Sequence, residues 1–428
     1  MKNYLQHCLS GIPLTFILFG FSCKGGNLPN ENRIYQTGIE TVQFYREGFD
    51  LSAPVITLNS GERLKLSFDD LNAGNQRYRY TILHCEADWT TSADLMVSEY
   101  IEGYSEETIE DYANSYNTTV LYTHYTAIFP TSTMRPKISG NYLMIVYTED
   151  PSRPSLTRRF MVTETTEVGI TGNIVQASRM EIRNTFQQID FQVHLHGFQV
   201  SDVRREIKVV VQQNGRWDNA LRGIQPRFIR GDELDYRYDE YNVFEGGNEF
   251  RNFDTKSLVY QSERISRIYY DTTNQVILLP DQPRTFKNYT FDQEINGRFF
   301  IKNEDHANDS EIEADYAWIH FFLPFPANPV NGDMHILGEL TSWKLDPGGV
   351  MNYNSDRKGF EKNLFLKQGY YNYVYVFLEK GLKTGDESMI EGSHWETENE
   401  YTVYVYFRGT GEQYDRLIAT QELKSTKL

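Results

Sequence analysis

The sequence predicts an all-β chain of tandem antiparallel β-sandwiches, and three observations predict it. Aromatic residues are abundant, with 30 Tyr and 26 Phe. Most fall in runs that alternate apolar and polar residues, which is the period of a strand. These runs are short and are bounded by Gly, Asn, Asp or Pro, as in "VITLNSGERLKLSFDDL" and "SGNYLMIVYTED", and such boundaries are turn chemistry. No stretch sustains a helical period.

A chain of 428 residues exceeds one ordinary core and implies two to four domains. The first sandwich is expected over 34–165. Its strands are "IETVQFYREG", "VITLNSGERLKLSFDDL", "YRYTILHCEADW", "THYTAIFP", "SGNYLMIVYTED" and "LTRRFMVTE". The acidic stretch from Ser92 to Tyr112 is expected as a surface loop with one helical turn. A second sandwich is expected over 166–302, from "VGITGNIVQAS" through "QQIDFQVHLHGF" and "REIKVVVQQNGRWDNA" to "INGRFFIKN". The acidic, apolar-poor stretch 303–315 reads as a linker. A third sandwich is expected over 316–428, from "AWIHFFLPF" to "YTVYVYFRG" and beyond.

The N-terminus has the layout of an export signal over 1–22. Lys2 supplies the positive start, and "GIPLTFILFGF" is an apolar run too short to span a bilayer comfortably. Ser22 precedes Cys23, an arrangement that resembles a lipoprotein signal in which Cys23 becomes the acylated first residue; plain cleavage nearby is the alternative. Residues 23–33 then form a tether, and the expected location is periplasmic, anchored to the outer membrane through lipidated Cys23. Cys8 leaves with the signal, so Cys85 stands alone and there is no disulfide framework. Cys85, in "TILHCEADW", reads as a small buried strand residue.

The net charge of −17 argues against nucleic acid as a partner, because phosphate binding needs clustered Lys and Arg. No P-loop, GxGxxG, HExxH, GxSxG or paired CxxC occurs. His194 and His196 share one strand face, but two imidazoles do not make a zinc site. Asp69 and Asp70 in "FDDLNAGN" lack the regular acidic spacing of a calcium loop and read as part of a turn. The 59 acidic residues nominate no carboxylate pair for glycoside hydrolysis. No catalytic residue, cofactor, metal or small-molecule substrate is therefore expected.

"DMHILGELTSWKLD" followed by "MNYNSDRKGFEKNLFLKQGYYNYVYVF" resembles the glycogen-binding-like early-set Ig module. That resemblance implies Ig-like, early-set sandwiches. Sugar-binding members stack a turn Trp and a second Trp on the sugar and add a Lys after the hairpin Tyr. Trp343 matches the turn Trp and Tyr373 the hairpin Tyr. Val374 stands where the Lys would be, and Leu382 and Lys383 stand where the second Trp would be. Trp343 is thus expected to pack on the sandwich or to contact a protein partner.

A wider set of segments resembles the plug-protein family of the type IX secretion system. It includes "YTILHCEADW", "EYIEGY", "QNGRWDNA", "NVFEGGNEFRNFD", "LLPDQPR" and "EGSHWETENEYTVYVY" in order, over about residues 34–420. The resemblance implies a periplasmic, non-enzymatic protein that closes the periplasmic opening of the outer-membrane translocon barrel. Its implied partner is that barrel protein, with a lipid anchor in the inner leaflet of the outer membrane. The rival reading is a carbohydrate-binding lipoprotein of a glycan-uptake system that uses the C-terminal sandwich.

Overall fold

The computed structural model describes residues 30–72, 74–237, 240–305 and 308–425. The export segment 1–22 and Cys23 lie outside the described residues. The fold is all-β, as the alternation predicts: among the described residues no α-helix exceeds four residues. None is long and apolar enough to cross a membrane.

The first unit is a sandwich. One sheet orders Ile39–Arg46, Leu64–Asp70, Thr123–Phe129 and Asp111–Asn114. The other centres on Gly140–Tyr147, between Arg79–Cys85 and Leu156–Thr163. The pleat of "LKLSF" turns Leu64, Leu66 and Phe68 into the core, where all three are fully buried. Every residue of Gly140–Tyr147 is buried. Tyr142, Met144 and Val146 face the unit's own core, while Leu143, Ile145 and Tyr147 face a second cluster. A strand apolar on both faces needs a layer on each side, and a neighbouring unit provides the second. The stretch expected as an acidic loop carries the Val97–Tyr100 helix and three short strands.

The second unit packs Gly169–Gln176, Phe186–His194, Phe228–Arg230, Glu233–Asp235 and Val243–Glu245 against a four-stranded sheet. That sheet orders Leu221–Arg222, Ile207–Gln213, Glu400–Phe407 and Arg416–Lys424. Ile207 lies opposite Phe407 and Gln213 opposite Tyr401. The second unit therefore takes its last two strands from the end of the described chain. The third unit, from about 249 to 391, is inserted between Val243–Glu245 and Glu400–Phe407. Its sheets centre on Gly369–Glu379 and on Tyr316–Pro324 paired with Gly359–Lys367.

This differs from the expected blocks 166–302 and 316–428. "YTVYVYF" announces a strand, but periodicity does not name its partner. Val403, Val405 and Phe407 complete the core built on Val209, Val211 and Phe191. The expected linker 303–315 is also structured. Asp309 caps the Ser310–Glu313 helix through Glu311 N. Buried Asp315 accepts from the amides of Thr119 and Val120 at 2.8 and 3.1 Å. Its acids are spent on contacts to the first unit rather than on solvation.

Candidate functional site

Three junctions join the units into one body, and they carry most of the unusual chemistry. Between the first and second units lies an apolar layer of Leu143, Ile145, Tyr147, Val210, Tyr404 and Tyr406. Trp89 and Trp217 meet edge to face at 5.1 Å, with the Arg159 guanidinium 4.3 Å from the Trp89 ring. Lys208 binds Asp415 at 2.7 Å, and Asp415 in turn accepts from the Ala87 amide. Cys85 sits in this layer, where burial pushes its thiol up to about 12, so it is a packing residue.

The first and third units meet at Asp69. It is expected in a turn, but it ends the Leu64–Asp70 strand and is fully buried. One oxygen accepts from Lys367 Nζ and Tyr316 Oη, both at 2.7 Å, and the other lies 2.6 Å from His124 Nδ1. Neighbouring Asp70, also buried, accepts from Tyr78 Oη at 2.8 Å. His124 Nε2 faces Glu311 at 3.4 Å, and Glu311 also pairs with Lys65. Lys367 Nζ lies 4.1 Å from the Tyr122 ring centroid, and Tyr122 Oη donates to Ala314 O. Burial opposes ionisation of Asp69, but Lys367 and His124 hold its carboxyl below the usual range. The His124 contact, with Lys65 beside it, draws Glu311 down to about 2.

Glu40 adjoins this cluster without a cation of its own. Burial first, and the charge of Asp69 second, push it up to about 7 from an ordinary 4.5. Its folded value is raised, so its contribution to stability is complete below pH 4.5 and is lost as pH rises through 7. Glu40→Gln is expected to flatten that loss and to stabilise the protein by about 2 kcal/mol at pH 8, as read by urea unfolding from pH 4.5 to 8. An unchanged pH profile would exclude this role.

Within the third unit, Glu391 and Asp281 bind Arg251 at 2.9 and 3.0 Å. Arg284 also binds Glu391, at 2.7 Å. Tyr373 and Tyr375 donate to Asp281 at 2.6 and 2.8 Å. Asn248 Nδ2 donates to Glu391 O at 2.7 Å, so this network clamps the two chain crossings into the second unit. Arg298 with Glu400 at 2.6 Å, and Arg216 with Glu387, complete that junction.

The turn carrying Trp343 points into the place where all three units meet. Ser342 and Trp343 both take left-handed backbone. The ring meets Phe250 edge-on at 6.0 Å and lies against Gly297, where a Cβ would come within 2.3 Å of it. Lys344 pairs with Glu31 of the first unit. Trp343, expected at a partner surface, is half-buried in the protein's own junction. Val374 is fully buried beside Phe250, Leu337 and Val376, so its position does not face a ligand, and exposed Leu382 offers no ring. His194 and His196 stack at 5.7 Å, with His194 Nε2 2.9 Å from Thr171 Oγ1. Among the described residues, no three His, Cys, Asp or Glu side chains converge as metal ligands.

Sequence reasoning missed Asp69, His124, Glu311 and Lys367, and also Arg251, Asp281 and Glu391. One signal was available. In "NLFLKQ" Lys367 takes an inward strand position, and a charge on a core face asks for a buried counter-charge.

The fold and its junctions define a class: an all-β protein of three sandwiches, the third inserted into the second. Residues 39–164 match the family described as type 9 secretion system plug protein 1st domain. A hypothetical protein from Parabacteroides merdae ATCC 43184, known from its crystal structure, is 36% identical with a TM-score of 0.89. The match covers 92% of this chain and 99% of that one. The chain belongs to one family with that protein, and its first domain matches that of the type 9 secretion system plug proteins. The teleost fish polymeric Ig receptor ectodomain is 11% identical over 55% of this chain and 82% of its own, with a TM-score of 0.14. Salmonella alpha-2-macroglobulin mutant Y1175G is 10% identical over 94% and 24%, with a TM-score of 0.16. Neither likeness bears on fold or function. No curated protein matches the chain.

Proposed function

We propose that this protein is a non-enzymatic periplasmic plug that closes the periplasmic opening of the type IX translocon barrel when no substrate is passing. The observation that carries this reading is the plug first-domain match over 39–164. The geometry is in keeping with it. A wide pore is sealed by a bulky body that does not deform, and three sandwiches locked through buried ion pairs and an apolar layer make such a body. Substrate must displace the plug, so its contact with the barrel is of moderate size and polar-aromatic in character.

Affinity purification from membranes is expected to recover the barrel protein with this chain. Deleting the gene is expected to raise outer-membrane permeability to large solutes. Unchanged permeability together with a purification that lacks the barrel would reject the proposal.

Lipidated Cys23 would hold the plug at the inner leaflet and raise its effective concentration at the pore. Cys23→Ala is expected to move the protein from the membrane fraction to the soluble fraction, followed by immunoblot after fractionation. Retention of the variant on membranes free of the barrel would show that Cys23 is not the anchor.

A further inference from the structure

We infer that the cavity where the three units meet is a binding site for one small inorganic oxyanion, of the phosphate or sulfate class, held by Arg158 and Arg159. The cavity measures about 100 Å³, and all three units line it: Arg158 and Arg159 from the first, Asn214 and Trp217 from the second, Arg298 and Ser342 from the third. That volume holds several waters or one tetrahedral oxyanion, and it has no room for a sugar or a base.

The charges are unbalanced there. The other buried arginines have carboxylates: Arg216 has Asp218 and Glu387, and Arg251 has Asp281 and Glu391. Arg298, which lines the cavity, has Glu400. Arg158 is 5% exposed and, among the described residues, forms no ion pair. Its Nη1 donates to Thr157 O at 2.9 Å, and its Nη2 reaches Ser342 Oγ only at 3.4 Å. Arg159 donates Nε to Asn30 O at 2.7 Å and stacks on Trp89. Its two Nη groups have no hydrogen-bond partner among the described residues.

Glu339 is the one acid in the lining. It accepts from the Phe299 amide at 3.1 Å and stays beyond ion-pair range of Arg158. Burial holds both guanidiniums down at about 10. A buried charge without a counter-charge is costly, and a guanidinium fork presents paired N–H donors that match an oxyanion. One oxyanion between Arg158 and Arg159 would satisfy both and would tie the units together at their common point.

The test is thermal unfolding of the full chain in 0.1–10 mM sodium phosphate or sulfate, with chloride balancing ionic strength. A saturable rise in midpoint is expected. It corresponds to an about elevenfold increase in the folded-to-unfolded ratio at ten times Kd. Arg159→Met is expected to abolish the rise. Chloride raising the midpoint equally, or Arg159→Met keeping the rise, would overturn the proposal. Adenosine monophosphate raising it as much as phosphate would overturn the free-ion assignment. Because a junction variant can fail to fold, selenate soaked into crystals of the unaltered chain gives a second reading. An anomalous peak within hydrogen-bond distance of Arg158 and Arg159 supports the site, and a cavity without one rejects it.

Discussion

Lys367→Met is expected to destabilise the protein by about 3–5 kcal/mol, the usual cost of removing one partner from a buried ion pair. Lys367 and Asp69 are 1% and 0% exposed at their side chains, so water cannot replace the lost ammonium. Met keeps most of the side-chain volume, and the effect is therefore electrostatic rather than a cavity effect. His124 and Tyr316 still contact Asp69, which favours the lower half of that range. The double variant Asp69→Asn/Lys367→Met is expected to recover much of the loss, because it leaves no uncompensated charge. Urea unfolding read by Trp fluorescence measures both. A loss under 1 kcal/mol in the single variant would show that solvent reaches the pair. Limited proteolysis is expected to cut the single variant within 303–315, because the anchor of that segment to the first unit is the contact removed.

Glu391→Gln is expected to cost about 3 kcal/mol or more. Glu391 is completely buried, receives both Arg251 and Arg284, and accepts from the Tyr375 amide at 2.9 Å. A neutral amide leaves two guanidiniums facing only Asp281 and backbone carbonyls. The carboxylate is held below its usual range, chiefly by Arg251 and Arg284 against the opposing effect of burial. Its stabilisation is therefore present at neutral pH and is lost as pH falls below the ordinary carboxylate range. The variant should accordingly lose the acid-dependent part of unfolding that the parent shows. Equal stability of variant and parent at pH 7 would refute the clamp.

The class of fold was legible in the sequence because alternation is local. "LKLSF" and "NYLMIVY" state their faces without reference to anything distant. Partnership was not legible. Nothing in "IKVVVQQ" indicates that its neighbour is "YTVYVYF" rather than a strand of the next hundred residues, since any apolar strand of that length would satisfy the pattern. The acidic stretch 303–315 misled for a related reason. Asp309, Glu311 and Asp315 look solvated until Lys65, His124 and the amides of Thr119 and Val120 are brought to them by the fold. At the resemblance-based site, Val374 and Leu382 correctly argued against a sugar platform, whereas the junction role of Trp343 depends on Gly297 and Phe250 from a distant segment.

The insertion of the third unit into the second has a consequence for how the chain is made. A polypeptide emerging N-terminus first completes the first unit early and then exposes Ile207–Gln213. That strand's antiparallel partner, Glu400–Phe407, has yet to appear. Throughout the emergence of the inserted unit, the second sandwich carries an open, Val-rich edge of the kind that recruits stray strands. An exported chain therefore has a vulnerable interval that ends only when its last two strands arrive, and a periplasmic holding chaperone would have its greatest effect in that interval.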